Sequence, residues 1–204
     1  MQKMQYEKAC CDLKLLNGLH EITVNTTNAL FIRHGDRNKI PEGEFGNDVE
    51  LNEIGINRST AYGEALKSQN VNKIYTSPIK RCVQTAHFIA KGMSRAIPIE
   101  HTSLLGDPGA FVYDGRIAGQ NYLKMGSNHF YESLLEGIPI EGNYPIAKGA
   151  EIINSFFEQT SEKSGINIYV SHDMIIALYA FAAFGKRYSH TNWVKYLEGL
   201  IIQF

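Results

Sequence analysis

Ala29-Leu30-Phe31-Ile32-Arg33-His34-Gly35-Asp36-Arg37 passes within nine residues from an apolar run to a charged cluster. The run reads as a short buried strand ending at Arg33, and the polar residues from Gly35 to Asp48 read as a loop. The pattern occurs twice more. Lys73-Ile74-Tyr75-Thr76 is a strand stopped by Ser77-Pro78 and followed by Ile79-Lys80-Arg81. Ile166 to Val170 is a strand followed by Ser171-His172-Asp173. Helical patterns lie between: Asn52 as the N-cap of a helix to about Lys67, Ile79 to about Lys91 with Gly92 just past its end, and Ala150 to Lys163 stopped by Gly165. The apolar stretch Met174 to Phe184 is a further helix. Ile97-Pro98-Ile99 suggests an edge strand and Leu200-Ile201-Ile202 a final one. Strands alternating with helices imply an α/β fold with a mostly parallel sheet.

The chain has 204 residues, with 20 Lys+Arg against 21 Asp+Glu, 44% apolar and 20% charged. That length suits one domain, spanning residues 1–204, able to bury most of its surface without staples. The near-zero net charge excludes bulk nucleic-acid or anionic-membrane binding, so any basic site is local. Three cysteines, two of them the adjacent Cys10 and Cys11, form neither a disulfide framework nor a zinc spacing, which points to a reducing compartment. Met1 to Leu19 is interrupted by charges and has no apolar leader core, so a cytoplasmic protein is expected. The longest apolar run is too short to span a bilayer. Residues 104–149, rich in glycine with prolines at 108, 139 and 145, read as an insertion of loops and short helices over the site.

In an open α/β sheet the carboxyl ends of the strands form the ligand crevice. The three clusters therefore converge, placing His34 and His172 with Arg33, Arg37 and Arg81 around one pocket. Arginines offer planar, permanently charged donors suited to phosphate, and helix N-termini add backbone N–H groups. An imidazole there can act as a nucleophile, dividing a hard displacement into two steps. Gly35 after His34 lets the backbone approach a phosphoryl group closely. Neither a Walker-type loop nor a dinucleotide-binding glycine pattern is present. Each residue also has a plainer reading: Arg37 as a solvated loop residue, His172 as a helix cap, Asp107 as a turn residue, Asp173 as a helix N-terminal aspartate, Cys82 as a buried helix cysteine. Leu51 to Gly55 reads as a closely packed helix entry.

Arg33-His34-Gly35, Leu51-x3-Gly55, Ser77-Pro78-x2-Arg81-x2-Gln84-Thr85-Ala86 and the late Ser171-His172 together resemble the histidine phosphatase superfamily, the phosphoglycerate-mutase-like group. The resemblance runs from about Leu30 to Phe184. It implies a three-layer α/β/α sandwich, no metal or other cofactor, a small phosphorylated substrate and a phosphohistidine intermediate. By position His34 resembles the nucleophile, and Arg33, Arg81 and His172 the phosphate-binding residues; Arg37, as in the acid-phosphatase branch, is a further phosphate-binding candidate. The proton donor has two candidates. The His172-Asp173 pair resembles the acid-phosphatase branch and slightly favours Asp173. The mutase-like branch carries its acid after the third strand, where Asp107 stands in Leu104-Leu105-Gly106-Asp107-Pro108. The expected activity is hydrolysis of phosphate monoesters, with a phosphoglycerate mutase and a non-catalytic phosphate-binding module as alternatives. Specificity is expected from residues 104–149, with Tyr113, Arg116, Tyr122, Lys124 and Tyr144 available.

Overall fold

Along the first strand, β1 (Thr27–Arg33), successive side chains point to opposite faces, and both faces are covered. Ala29 and Phe31 join one apolar cluster, Leu30 and Ile32 the other. A strand buried on both sides reads as an unbroken apolar run, which is why Ala29 to Ile32 shows no polar alternation. The computed structural model describes residues 27–161 and 164–203; the expectations about the leader region, Cys10 and Cys11 lie outside them, as does the end of the helix expected to reach Lys163.

Beyond β1 the order is α1 (Glu53–Ala65), β2 (Val71–Thr76), α2 (Lys80–Met93), β3 (Ile99–His101), a 3-10 turn (Ser103–Leu105), α3 (Gly115–Met125), α4 (Ser127–Leu135), α5 (Ile146–Thr160), β4 (Gly165–Ser171), α6 (Asp173–Phe184) and β5 (Gly199–Gln203). The five strands form one sheet in the order β3-β2-β4-β1-β5. All pairs are parallel except β1 with β5. Helices α1 and α2 cover one face, where Tyr62, Cys82, Ala86, Ile89 and Met93 pack on Leu30, Ile32, Ile74, Ile168 and Val170. On the other, α4, α5 and α6 bring Tyr131, Phe157, Ile176 and Tyr179 against Phe31, Tyr75 and Tyr169. This is the α/β/α layering expected.

Local chemistry explains the boundaries. Asn52 is the N-cap of α1, its side-chain oxygen accepting from the Gly55 N–H at 2.9 Å. Gly92 is not past the end of α2 but inside it, and Ser94 supplies the left-handed cap instead, with φ +56°. A Cβ on Gly92 would land on the Thr60 carbonyl oxygen of α1, so packing rather than capping explains this glycine. Helix α5 begins four residues before the expected Ala150, entered through Pro145. It runs through Gly149, whose missing side chain makes room for the Phe111 ring. Gly165 opens β4 rather than stopping a helix. The edge strand β3 lies two residues beyond the expected Ile97 start, because Pro98 has no N–H to give the ladder. Residues 104–149 hold two short helices, α3 and α4, of 11 and 9 residues, with loops on either side.

Candidate active site

Arg33 on β1 pairs in register with Ser171 on β4, and Thr76 on β2 with Val170. The ends of three adjacent strands therefore deliver Arg33-His34, Ser77 and Ser171-His172 to one place. His34 is 2% exposed, Arg33 9% and Arg81 6%. Residues of the resembling motifs brace them. The Gly35 N–H donates to Thr85 Oγ1 at 2.9 Å, and the Leu51 N–H to Gln84 Oε1 at 2.8 Å, both acceptors on α2. Gly55 lies under the Asp36 carbonyl with no room for a Cβ, which accounts for the close helix entry.

The tautomer of His34 follows from its neighbours. Nδ1 lies 2.8 Å from the Gly35 carbonyl oxygen, an atom that can only accept, so Nδ1 carries the proton. Nε2 then holds the lone pair and accepts from Arg81 Nε at 3.1 Å. Burial, with the nearby charges of His172, Arg33 and Arg81, holds the His34 pKa well below its ordinary 6.5. The ring is neutral, with the Nε2 lone pair available. His172, T-shaped to His34 with ring centroids 5.5 Å apart, is similar. Arg81 Nη2 approaches its Nδ1 at 3.4 Å and can only donate, leaving Nε2–H for Ser77 Oγ at 3.1 Å. Burial first, then the Arg81 charge, lowers its pKa to about 3.

Arg33 is fixed on three sides. Its Nη2 bonds Asp173 at 2.8 Å, its Nη1 donates to the Val194 carbonyl at 2.6 Å, and its guanidinium lies 4.1 Å above the Tyr196 ring. Its Nε is buried and without a hydrogen-bond partner among the described residues, as is the Nε of Arg37. Buried guanidinium N–H groups left unpaired are costly unless an acceptor meets them, and an anion with several oxygens supplies such acceptors. Arg37 sits at the rim of the cluster: its backbone bridges Leu51, its Nη1 donates to the Asn38 carbonyl, and its charge reaches both Arg81 and His172.

The two candidate acids stand differently. Burial by itself would raise the Asp173 carboxyl, but Arg33, the Trp193 side chain, His172 and the Met174 N–H together hold it below the ordinary value. Every one of these contacts treats Asp173 as an acceptor. Asp107 is exposed, at φ +65°, and has no ion-pair partner among the described residues. The turn that carries it is held over the pocket: Ser171 Oγ donates to the Leu105 carbonyl at 2.7 Å, and Gly106 rests on the His172 ring. Cys82 is the buried helix cysteine expected, its thiol pushed up to about 12 by burial. Among the described residues no group of histidine, cysteine or acidic side chains could hold a metal ion, and no helix is long and apolar enough to cross a membrane.

Three participants were not foreseen from sequence. Tyr196, Trp193 and Val194 lie in an unpatterned stretch before β5, and all three close on the Arg33–Asp173 pair. No spacing signal marks them, because a chain returning to the sheet edge brings them there.

Comparison with known proteins places the geometry in context. Residues 29–196 match the histidine phosphatase superfamily (branch 1). The chain is 25% identical over 147 residues to a 2,3-bisphosphoglycerate-dependent phosphoglycerate mutase of Thermoplasma acidophilum, covering 71% of this chain and 70% of that one. Its fold is similar to a phosphoglycerate mutase from Bacillus anthracis, with a TM-score of 0.60, 16% identity and 90% of each chain covered. It is also similar to a mycobacterial glucosyl-3-phosphoglycerate phosphatase, at 0.54 with 17% identity, covering 79% of this chain and 81% of the other. The match spans all three strand-end clusters that meet at His34, and this chain belongs to the histidine phosphatase superfamily.

Proposed function

We propose that this protein is a phosphatase that hydrolyses phosphate monoesters without a metal, through a phosphohistidine on His34. The observation that carries the reading is the neutral His34 ring, its Nε2 lone pair facing Arg81 inside a cluster of three arginines. A phosphoryl group entering beside Nε2 takes over the Arg81 Nε–H and meets the unpaired Nε–H groups of Arg33 and Arg37. His34 Nε2 attacks phosphorus in line, the N–P bond forms and the ester P–O bond breaks. The three arginines neutralise the equatorial oxygens, with the neutral His172 ring beside them, all fixed before the reaction begins.

The leaving oxygen needs a proton, and Asp107 is the better placed donor. Asp173 is committed as an acceptor to Arg33 and Trp193, whereas Asp107 is free on a turn that borders His172. Asp107, protonated, gives its proton to the departing alkoxide. As a carboxylate it then accepts one from water, the water oxygen attacks phosphorus, the P–N bond breaks and inorganic phosphate leaves. Asp173 instead positions Arg33.

A second reading, phosphoglycerate mutase activity, is favoured by the named activity of the Thermoplasma relative. Retention of the phosphoryl group for return to a hydroxyl would then replace attack by water. The test is hydrolysis of a generic aryl phosphate with EDTA present, comparing wild type with His34→Ala. Turnover that survives EDTA and vanishes in a folded variant supports the phosphatase. Conversion of 3-phosphoglycerate to 2-phosphoglycerate supports the mutase. Phosphate binding with neither reaction identifies a binding module.

A further inference from the structure

Phe45 is 46% exposed although it is a large apolar residue in the loop between β1 and α1. Its position is not casual. The next residue, Gly46, gives its carbonyl oxygen to Arg81 Nη1 at 2.6 Å, so the loop is tied to an arginine of the phosphate pocket. Gly46 is at φ +63°, and a Cβ there would meet the Ile40 side chain at 2.6 Å, so glycine is needed to make this turn. The Phe45 ring faces Tyr122 of α3, nearly parallel at 30° with centroids 6.2 Å apart. Gly119, one turn earlier on α3, leaves the space, since a Cβ would lie 3.0 Å from the Phe45 ring.

Tyr122 is itself held. Phe130 packs edge-on at 5.3 Å, and the phenol bonds the Ser127 side chain. Leu123, the following residue, is 42% exposed. The loop that anchors Arg81 and the insertion helix α3 thus meet as a pre-formed aromatic pair next to the Gly46–Arg81 contact, with nearly half of Phe45 still open to solvent. Neither side chain offers a charge to an anionic group.

We infer that Phe45 and Tyr122 form the leaving-group subsite, so that the preferred substrates are phosphate monoesters of an apolar, ring-bearing alcohol. This rests on the phosphatase reading. Arg33, Arg37 and Arg81 hold the phosphoryl group, and the rest of the ester stacks against Phe45, covering apolar surface that otherwise faces water. An ester with a small anionic leaving group has no such partner at this wall.

The test uses alkyl esters whose leaving alcohols are similarly basic, so that chemistry does not mask recognition. The kcat/KM for 2-phenylethyl phosphate is compared with that for glycerol phosphate and for 3-phosphoglycerate. The phenylethyl ester is expected to be favoured at least about tenfold, and Phe45→Ala to remove about tenfold of that preference. Phe45→Leu should keep part of it. Ile138→Ala, which removes another exposed apolar side chain, should leave the ratio unchanged. A wild type without the preference, or a Phe45→Ala ratio equal to wild type, overturns the inference and spares the phosphatase reading. A wild type that hydrolyses none of the esters, nor an aryl phosphate, overturns the phosphatase reading and this inference with it.

Discussion

Asp173 and Asp107 carry the same carboxyl group, and their contacts assign them different work. Asp173 lies against Arg33 at 2.8 Å with both side chains largely buried. Asp173→Asn should leave Arg33 without its counter-charge and cost about 3 kcal/mol of stability, measured by urea denaturation. Asp107→Asn should leave stability nearly unchanged and lower kcat on alkyl phosphates by about a hundredfold, with a smaller loss on nitrophenyl phosphate, whose leaving group needs little protonation. The opposite pattern would place the transferred proton on Asp173. The two histidines set the acid limit of the fold. His34 and His172 are neutral when folded but take up a proton below pH 6.5 when unfolded. The unfolded state thus binds more protons, and stability falls as pH drops from 6.5 toward the folded values, by up to about 1.4 kcal/mol per pH unit for each ring. Asp173, lowered from 3.8, adds stability that is lost only at still lower pH. Urea midpoints should therefore decline between about pH 6.5 and 5, and His172→Asn should flatten that decline.

Among the elements, α1 and α2 depend on mutual close approach. Gly63 of α1 sits under the Ile89 carbonyl, and Gly92 of α2 under the Thr60 carbonyl, each without space for a methyl group. Gly92→Ala would push the helices apart and is expected to cost about 2 kcal/mol, visible as a lowered Tm. Activity should fall with it, since α2 carries Arg81 together with Gln84 and Thr85, which hold the backbone at Leu51 and Gly35. The same contacts explain which boundaries were legible. Asn52 announced α1 because an N-cap acts through its own side chain on the N–H three residues on. Gly92 and Gly149 suggested ends or loops because glycine usually marks a turn. Here each accommodates another element, a carbonyl of α1 or the Phe111 ring, and such a neighbour is distant in sequence.

On the scale of the whole molecule, the apolar clusters on the two faces share the central strands, since alternate residues of β1 and β4 belong to each. We expect residues 104–149 to fold with the rest, because Phe111, Phe130, Tyr131 and Leu134 are part of the same cluster as Phe31 and Tyr169. Trp193, the single tryptophan, packs edge-on against Tyr131 at 4.9 Å. Its fluorescence and the far-UV circular dichroism should report one coincident unfolding transition. An earlier fluorescence change would mark the insertion side as a separately unfolding part.

The amino-acid sequence alone determined the α/β class, the parallel core strands and the polar clusters that end them. Those features rest on short-range chemistry: apolar runs that must be buried, caps that act within a turn, and charges that must sit at strand ends. Tertiary structure alone decided that Arg33 pairs with Asp173, that Tyr196 and Val194 immobilise it, that His34 Nε2 meets Arg81, and that Phe45 meets Tyr122. Each of these depends on the register of strands or on segments arriving from distant parts of the chain. No local pattern encodes such a meeting, because the groups that determine it become neighbours only when the sheet is assembled.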